Sequence, residues 1–178
     1  MSKTILGISG SLRKGSNSTA ILNTLAARQW EGATLKAHDI SQVPLYNADL
    51  DGDTKPAAVE ALKNAIALAD GLLLVSPEYN YGMSGVLKNA LDWASRPGYQ
   101  SVLKHKPTVI ITSSPGGVGG ARAHEQLRKT LSACLALLVP GPEVAIPAVH
   151  QKLTDGALTD EKSLKMAVEA VEALIDYS

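Results

Sequence analysis

Leu72-Leu73-Leu74-Val75 is a run of four large aliphatic residues with no polar interruption. Before it, Ala57 to Ala69 repeats Val59, Leu62, Ala65 and Ile66 at helical spacing, and after it Val86 to Ser95 is a second amphipathic helical stretch. A strand without a polar side cannot lie against water. Between two helices such a run is a central strand, covered on both faces. The same grammar recurs along the chain. Thr4–Ile8 precedes a helix over Thr19–Trp30, and Ala33–Ile40 alternates enough to be a second strand. Thr108–Thr112 precedes a helix from about Ala121 to Ala136. Leu137–Ile146 contains a fifth strand interrupted by its prolines, and Thr159 or Asp160 caps a closing helix. Parallel strands cannot be joined by tight turns, so five strands alternating with five helices predict an α/β fold. Its architecture is three-layer α/β/α, with a five-stranded parallel sheet, right-handed crossovers and strand order 2-1-3-4-5. No repeat, low-complexity tract or linker divides the sequence, and residues 1–178 are expected to form a single domain.

In that order the topological switch point lies between the first and third strands, and ligands bind there at the carboxyl ends of the strands. Three unusual loops converge on it: Gly10 to Ser18, Pro77 to Gly85 and Ser113 to Gly120. The first joins a strand to a helix start and packs Ser9, Ser11, Ser16, Ser18, Asn17 and Arg13 among two glycines. Free backbone N–H groups and the positive end of a helix dipole make such a junction an anion site. Gly10-x4-Gly15 has P-loop glycine spacing, but Ser16-Asn17 stands where that motif requires Lys followed by Ser or Thr. The G-x-G-x-x-G dinucleotide fingerprint is also absent. A loop rich in hydroxyl donors favours a terminal monophosphate, as in FMN. The bland alternative is a Ser-rich N-cap and surface turn.

The second loop, Pro77-Glu78-Tyr79-Asn80-Tyr81-Gly82, sets two aromatics close together in a chain with no Phe. Pro77 limits regular continuation of the strand, and the tyrosines provide the rim a flat ligand needs. Backbone N–H groups there would stabilise negative charge on a reduced ring system. An ordinary turn with a core-facing Tyr is the alternative. The Gly-rich third loop lets backbone approach a ring edge, unless it is simply a flexible surface loop.

Seventeen basic and seventeen acidic residues cancel, so no global field attracts nucleic acid or anionic membrane. The one cysteine, Cys134, excludes an intramolecular disulfide and suits a reducing cytoplasm, with the thiol as a buried small hydrophobe. No signal pattern or membrane-length apolar run is present. His38, His105, His124 and His150 are scattered without metal-ligand spacing, so no metal site is expected. Lys88 and Asp92 stand as a helix-face pair, and Glu78 as an exposed acid or one capping a nearby turn.

Gly10-Ser11-Leu12-Arg13-Lys14-Gly15-Ser16 with Ser18, Pro77-Glu78-Tyr79-Asn80-Tyr81, Leu87-Lys88-Asn89-Ala90-Leu91-Asp92-Trp93 and Gly119-Gly120-Ala121-Arg122 together carry a resemblance. The chain resembles the NADPH-dependent FMN reductase family of flavodoxin-like proteins over essentially its whole length, and within it the branch of bacterial quinone and chromate reductases. The resemblance implies non-covalent FMN. Its phosphate would be held by Ser11, Arg13, Ser16, Asn17 and Ser18, and its ring and ribityl chain by Pro77, Glu78, Tyr79 and Asn80, with Ser114 and Gly116 near the ring. It further implies NADPH or NADH as donor and quinones as acceptors, with chromate, azo or nitro compounds as side substrates. A ping-pong mechanism with no catalytic side chain is expected with FMN bound, and the resemblance implies a homodimer or homotetramer. Asn17-Ser18 departs from the family pattern, where an aromatic followed by Asn is common. A flavodoxin-like electron carrier and a non-catalytic FMN-binding sensor are the competing functions.

Overall fold

The structure is a computed structural model, and it describes residues 2–178. In chain order the elements are β1 (Lys3–Ser9), α1 (Asn17–Ala26), β2 (Ala33–His38), α2 (Ala57–Leu68), β3 (Gly71–Tyr79), β4 (Gly82–Met83) and α3 (Gly85–Ala94). There follow β5 (Pro107–Ser113), α4 (Ala121–Ala133), β6 (Leu137–Leu138), β7 (Val144–Ile146), β8 (Leu153–Thr154), β9 (Ala157–Leu158) and α5 (Glu161–Tyr177). The main sheet runs β2-β1-β3-β5, and β6 and β7 both pair with the outer side of β5. These pairings are all parallel. With β6 and β7 counted as one strand broken at Pro140-Gly141-Pro142, the order is the expected 2-1-3-4-5.

The apolar run that predicted a central strand fills both layers. Leu72, Leu73, Leu74 and Val75 are each fully buried. Because side chains alternate along a strand, Leu73 and Val75 pack with Ile21, Leu22 and Leu25 of α1 and with Val171 and Leu174 of α5. Leu72 and Leu74 face Leu62 and Ile66 of α2, Leu87 and Leu91 of α3, and Leu127 and Leu131 of α4. Covering each fully buried Leu contributes about 1.5–3 kcal/mol relative to exposure, which is why one polar residue in this run would be costly.

Four expectations are corrected. First, β3 does not stop at Val75 but continues through Pro77 to Tyr79. Pro77 stands opposite Ser113, where the ladder with β5 ends, so its missing N–H interrupts nothing beyond it. The chain then turns through Asn80 (φ 48°) and Tyr81 (φ 65°) into β4, as a type I′ hairpin requires. Second, α1 begins at Asn17, where Ser16 caps it, and ends at Ala26 rather than Trp30. The Trp30 indole N–H donates back to the Leu25 carbonyl, closing the helix end. Third, the stretch after Ile146 is not a plain loop: β8 and β9 form a small hairpin about Asp155-Gly156. Fourth, Cys134 follows α4 half-buried rather than in the core, and its thiol is pushed up chiefly by desolvation. Asp160 is the cap of α5, its carboxylate accepting from the Ser163 N–H. No helix among the described residues is long and apolar enough to cross a membrane.

Candidate active site

The β1–α1 junction is built to leave donors over. The Ser9 and Thr19 hydroxyls meet at 2.8 Å, tying the end of β1 to the first turn of α1. The buried Ser16 hydroxyl accepts from the Thr19 N–H, which settles one orphan donor of the helix start. The backbone N–H groups of Ser11, Leu12, Lys14, Gly15, Asn17 and Ser18 enter no hydrogen bond among the described residues. Six unspent donors beside a helix N-terminus suit an anion with several oxygens. Arg13 is exposed and its guanidinium reaches only the Lys14 carbonyl, at 3.3 Å, so the charge is available to a ligand. Buried Ser18 faces Ser113 of β5 with their oxygens 3.5 Å apart, bringing the third loop to the first. Gly10 is pressed against α3. A Cβ there would lie 2.9 Å from the Ser84 hydroxyl and 3.2 Å from Leu87.

A crevice of about 380 Å³ opens at this end of the sheet, lined by Gly10 to Arg13 on one side and by Tyr79, Ser84 and Val86 on the other. Its volume lies within the ordinary range of small-molecule sites, about 300–1,000 Å³. The third wall was not foreseen. Ile40, at the end of the expected second strand, and Ser41, Val43 and Leu45, in the connection that follows it, line the crevice. α3 holds this wall: Asn89 donates to the Pro44 carbonyl (2.9 Å) and accepts from the Tyr46 N–H (2.7 Å). The Trp93 indole N–H donates to the same Pro44 carbonyl at 2.8 Å, and its ring meets Tyr46 edge to face. The Asp39 carboxylate fixes Ser41 by accepting its hydroxyl and N–H, bonds that hold the carboxyl below its usual range.

Of the expected site residues, Ser11, Arg13 and Tyr79 line the crevice. Ser16, Asn17 and Ser18 sit at the adjoining helix start, and Asn80 is exposed at the tip of the hairpin. Pro77 is half-buried in β3 just below Tyr79. The Glu78 side chain is neither exposed nor turned to the crevice. Its carboxylate accepts from the Arg122 and Ala123 N–H groups at 3.0 and 3.1 Å, and Arg122 lies 3.6 Å away as a counter-ion. It supplies the cap that Gly120, the residue before α4, has no side chain to make. Ser114 and Gly116 are also outside the crevice lining. Their loop is tied to the segment after β7: Ser114 N–H donates to the Ile146 carbonyl, Val149 N–H to the Ser114 carbonyl and Ala148 N–H to the Gly116 carbonyl, each at 3.1 Å. Lys88 and Asp92 form the expected pair on α3, 2.7 Å apart.

A second cavity, of about 110 Å³, lies between α4, α5 and the broken outer strand and holds none of these residues. It contains His124, buried and pushed below its usual pKa by desolvation, with the Glu143 carboxylate 3.7 Å away opposing that shift. No cluster of three or more His, Cys, Asp or Glu suited to a metal occurs among the described residues.

The chain has well-matched relatives. A family model described as NADPH-dependent FMN reductase matches residues 4–151. An NAD(P)H-dependent FMN reductase of Pseudomonas aeruginosa is 42% identical over 171 residues, covering 96% of this chain and 92% of that protein. A 2-hydroxy-1,4-benzoquinone reductase of a Burkholderia species is 40% identical, over 93% of this chain and 90% of its own. Among solved structures, a flavoenzyme NAD(P)H:(acceptor) oxidoreductase from Paracoccus denitrificans superposes with a TM-score of 0.82 at 36% identity, covering 98% of this chain and 96% of that one.

Proposed function

The chain belongs to the NADPH-dependent FMN reductase family, and from that premise we propose that it is an FMN-dependent NAD(P)H oxidoreductase that reduces quinones by two electrons. Chromate, azo and nitro compounds are further acceptors in this reading. The observation that carries it is the β1–α1 junction, whose unspent N–H groups and hydroxyls meet the needs of a terminal phosphate beside an open crevice of ligand size. FMN, when bound, supplies the hydride-transfer chemistry that no side chain here possesses.

The residues of the chain bind and orient. In this proposal Ser11, Arg13, Ser16, Asn17 and Ser18 hold the phosphate. Pro77, Tyr79, Asn80 and the main chain of Glu78 flank the ring, and Ser114 and Gly116 close its far edge. In this proposal donor and acceptor take turns in the same crevice, which is the basis of ping-pong kinetics. We further propose a homodimer or homotetramer, because Leu12, Leu45 and Tyr79 of the crevice lining stand exposed, as does Tyr81 on the same hairpin as Tyr79. A cytoplasmic location is supported by the lone, half-buried thiol, and one domain over residues 1–178 by the shared sheet.

The test is anaerobic stopped-flow absorbance of the FMN-loaded protein. Rapid bleaching of the flavin band by NADPH or NADH, and its return on adding 1,4-benzoquinone, is the expected result. Bound FMN that neither nucleotide bleaches would overturn the enzyme reading in favour of an electron carrier or a sensor.

A further inference from the structure

The hairpin that carries Tyr79 is unusual in one respect. Asn80 tolerates a positive φ, but Tyr81 is a bulky residue for the left-handed region, and its side chain is largely exposed, so no core packing holds it there. Two contacts tie the hairpin to α4. On its first strand, the Glu78 carboxylate takes both the Arg122 and Ala123 N–H groups of α4. On its second strand, the Met83 N–H donates to the side-chain oxygen of Gln126, one helical turn further along α4, at 2.6 Å. The same Gln126 oxygen lies 2.7 Å from where a Cβ would stand on Gly82, so the helix fits against bare backbone. Arg122 completes the contact, pairing with Glu78 and lying 4.2 Å over the Tyr81 ring.

We propose that Glu78 and Gln126 are positioning residues, a two-point clamp through which α4 sets the height and tilt of the Tyr79–Gly82 turn at the crevice. The inference rests on the flavin-enzyme reading above only for what the turn faces; the clamp itself is a property of the chain. It explains why an acid stands next to an electron-accepting ring site. A carboxylate left unpaired there would oppose the negative charge that builds on reduction. Here its charge is taken up by the helix start and by Arg122. Glu78 therefore shapes the site through α4 and need not touch the cofactor with its side chain.

The experiment compares wild type with Glu78→Ala, Glu78→Gln, Gln126→Ala and Gln126→Glu. It reads amide exchange at Tyr79–Met83, the FMN dissociation constant by fluorescence and the visible circular dichroism of bound flavin. Both alanine variants are expected to speed exchange in the turn by tenfold or more, weaken FMN by about tenfold and alter the flavin band. The variants that retain an acceptor oxygen, Glu78→Gln and Gln126→Glu, restore most of each effect. Alanine variants that only melt at lower temperature, with exchange in the turn, FMN affinity and the flavin band as in wild type, would overturn the clamp. If the wild-type protein binds no FMN, the functional reading fails, and the exchange data still decide whether the clamp exists.

Discussion

Ser18 and Ser113, 95 residues apart in the chain, bring their hydroxyl oxygens to 3.5 Å at the carboxyl end of the sheet, both side chains buried. The contact joins the start of α1 to the end of β5. Ser18→Ala removes a donor from the proposed phosphate site and leaves Ser113 without this neighbour. A loss of about 1 kcal/mol, or roughly fivefold in FMN affinity, is expected. Fluorescence titration with FMN checks it, and affinity equal to wild type would place the phosphate elsewhere.

Arg13 offers a cleaner separation of binding from stability. Its side chain is exposed and contacts only the Lys14 carbonyl. A charge-assisted hydrogen bond to phosphate contributes about 1.5–3 kcal/mol, so Arg13→Ala should weaken FMN retention roughly 10- to 100-fold. Its urea midpoint should stay at the wild-type value, as for surface substitutions generally.

Acid should find a weak point at His124. Burial lowers its native pKa below the ordinary 6.5, with Glu143 opposing and Arg128 reinforcing the shift. Below that ordinary value the unfolded chain takes up a proton that the folded chain refuses. The stabilising contribution of neutral His124 is therefore complete above about pH 6.5 and is lost as pH falls through the lower native value. His38, lowered chiefly by desolvation, acts in the same direction. Urea midpoints at pH 7.5 and 5.5 should diverge more for wild type than for His124→Phe. Equal slopes would remove His124 as the cause.

Gly119 (φ 65°) is the tightest glycine by backbone contact. A Cβ there would lie 2.6 Å from the Ala145 carbonyl carbon and 2.8 Å from the Ile146 nitrogen. Neither atom can rotate away, and L residues resist that φ. Gly119→Ala should cost about 2 kcal/mol or more. A thermal melt checks this, and an unchanged melting temperature would show that the loop yields without cost.

Much of this fold is written in local pattern. The uninterrupted Leu72–Val75 run announces a strand with two buried faces, and the hydroxyls of Ser9 to Ser18 announce a helix start with donors to spare. The wall formed by Val43 and Leu45 is different, because distant side chains hold it. It is held by Asn89 and Trp93, more than forty positions away, and neither bond leaves a mark near Pro44. The extension of β3 was hidden by Pro77, which as a rule ends a strand but here falls where the ladder ends anyway. Tyr81 at positive φ runs against its own preference and is supported by α4 instead. The β8–β9 hairpin did leave a signal, Asp155-Gly156, but flanks of two residues each are too short to show alternation.

The split outer strand has a consequence for how the protein behaves in a crowd. An unbroken edge of a parallel sheet is a template on which a foreign strand can add itself. Here that edge is presented in pieces of two and three residues, parted by Pro140 and Pro142, which between them remove two donors from the row. The opposite edge, β2, carries an exposed Lys36 in its middle. Neither margin offers a long, flat, uncharged register, so the sheet at the centre of the molecule has no easy way to grow beyond it.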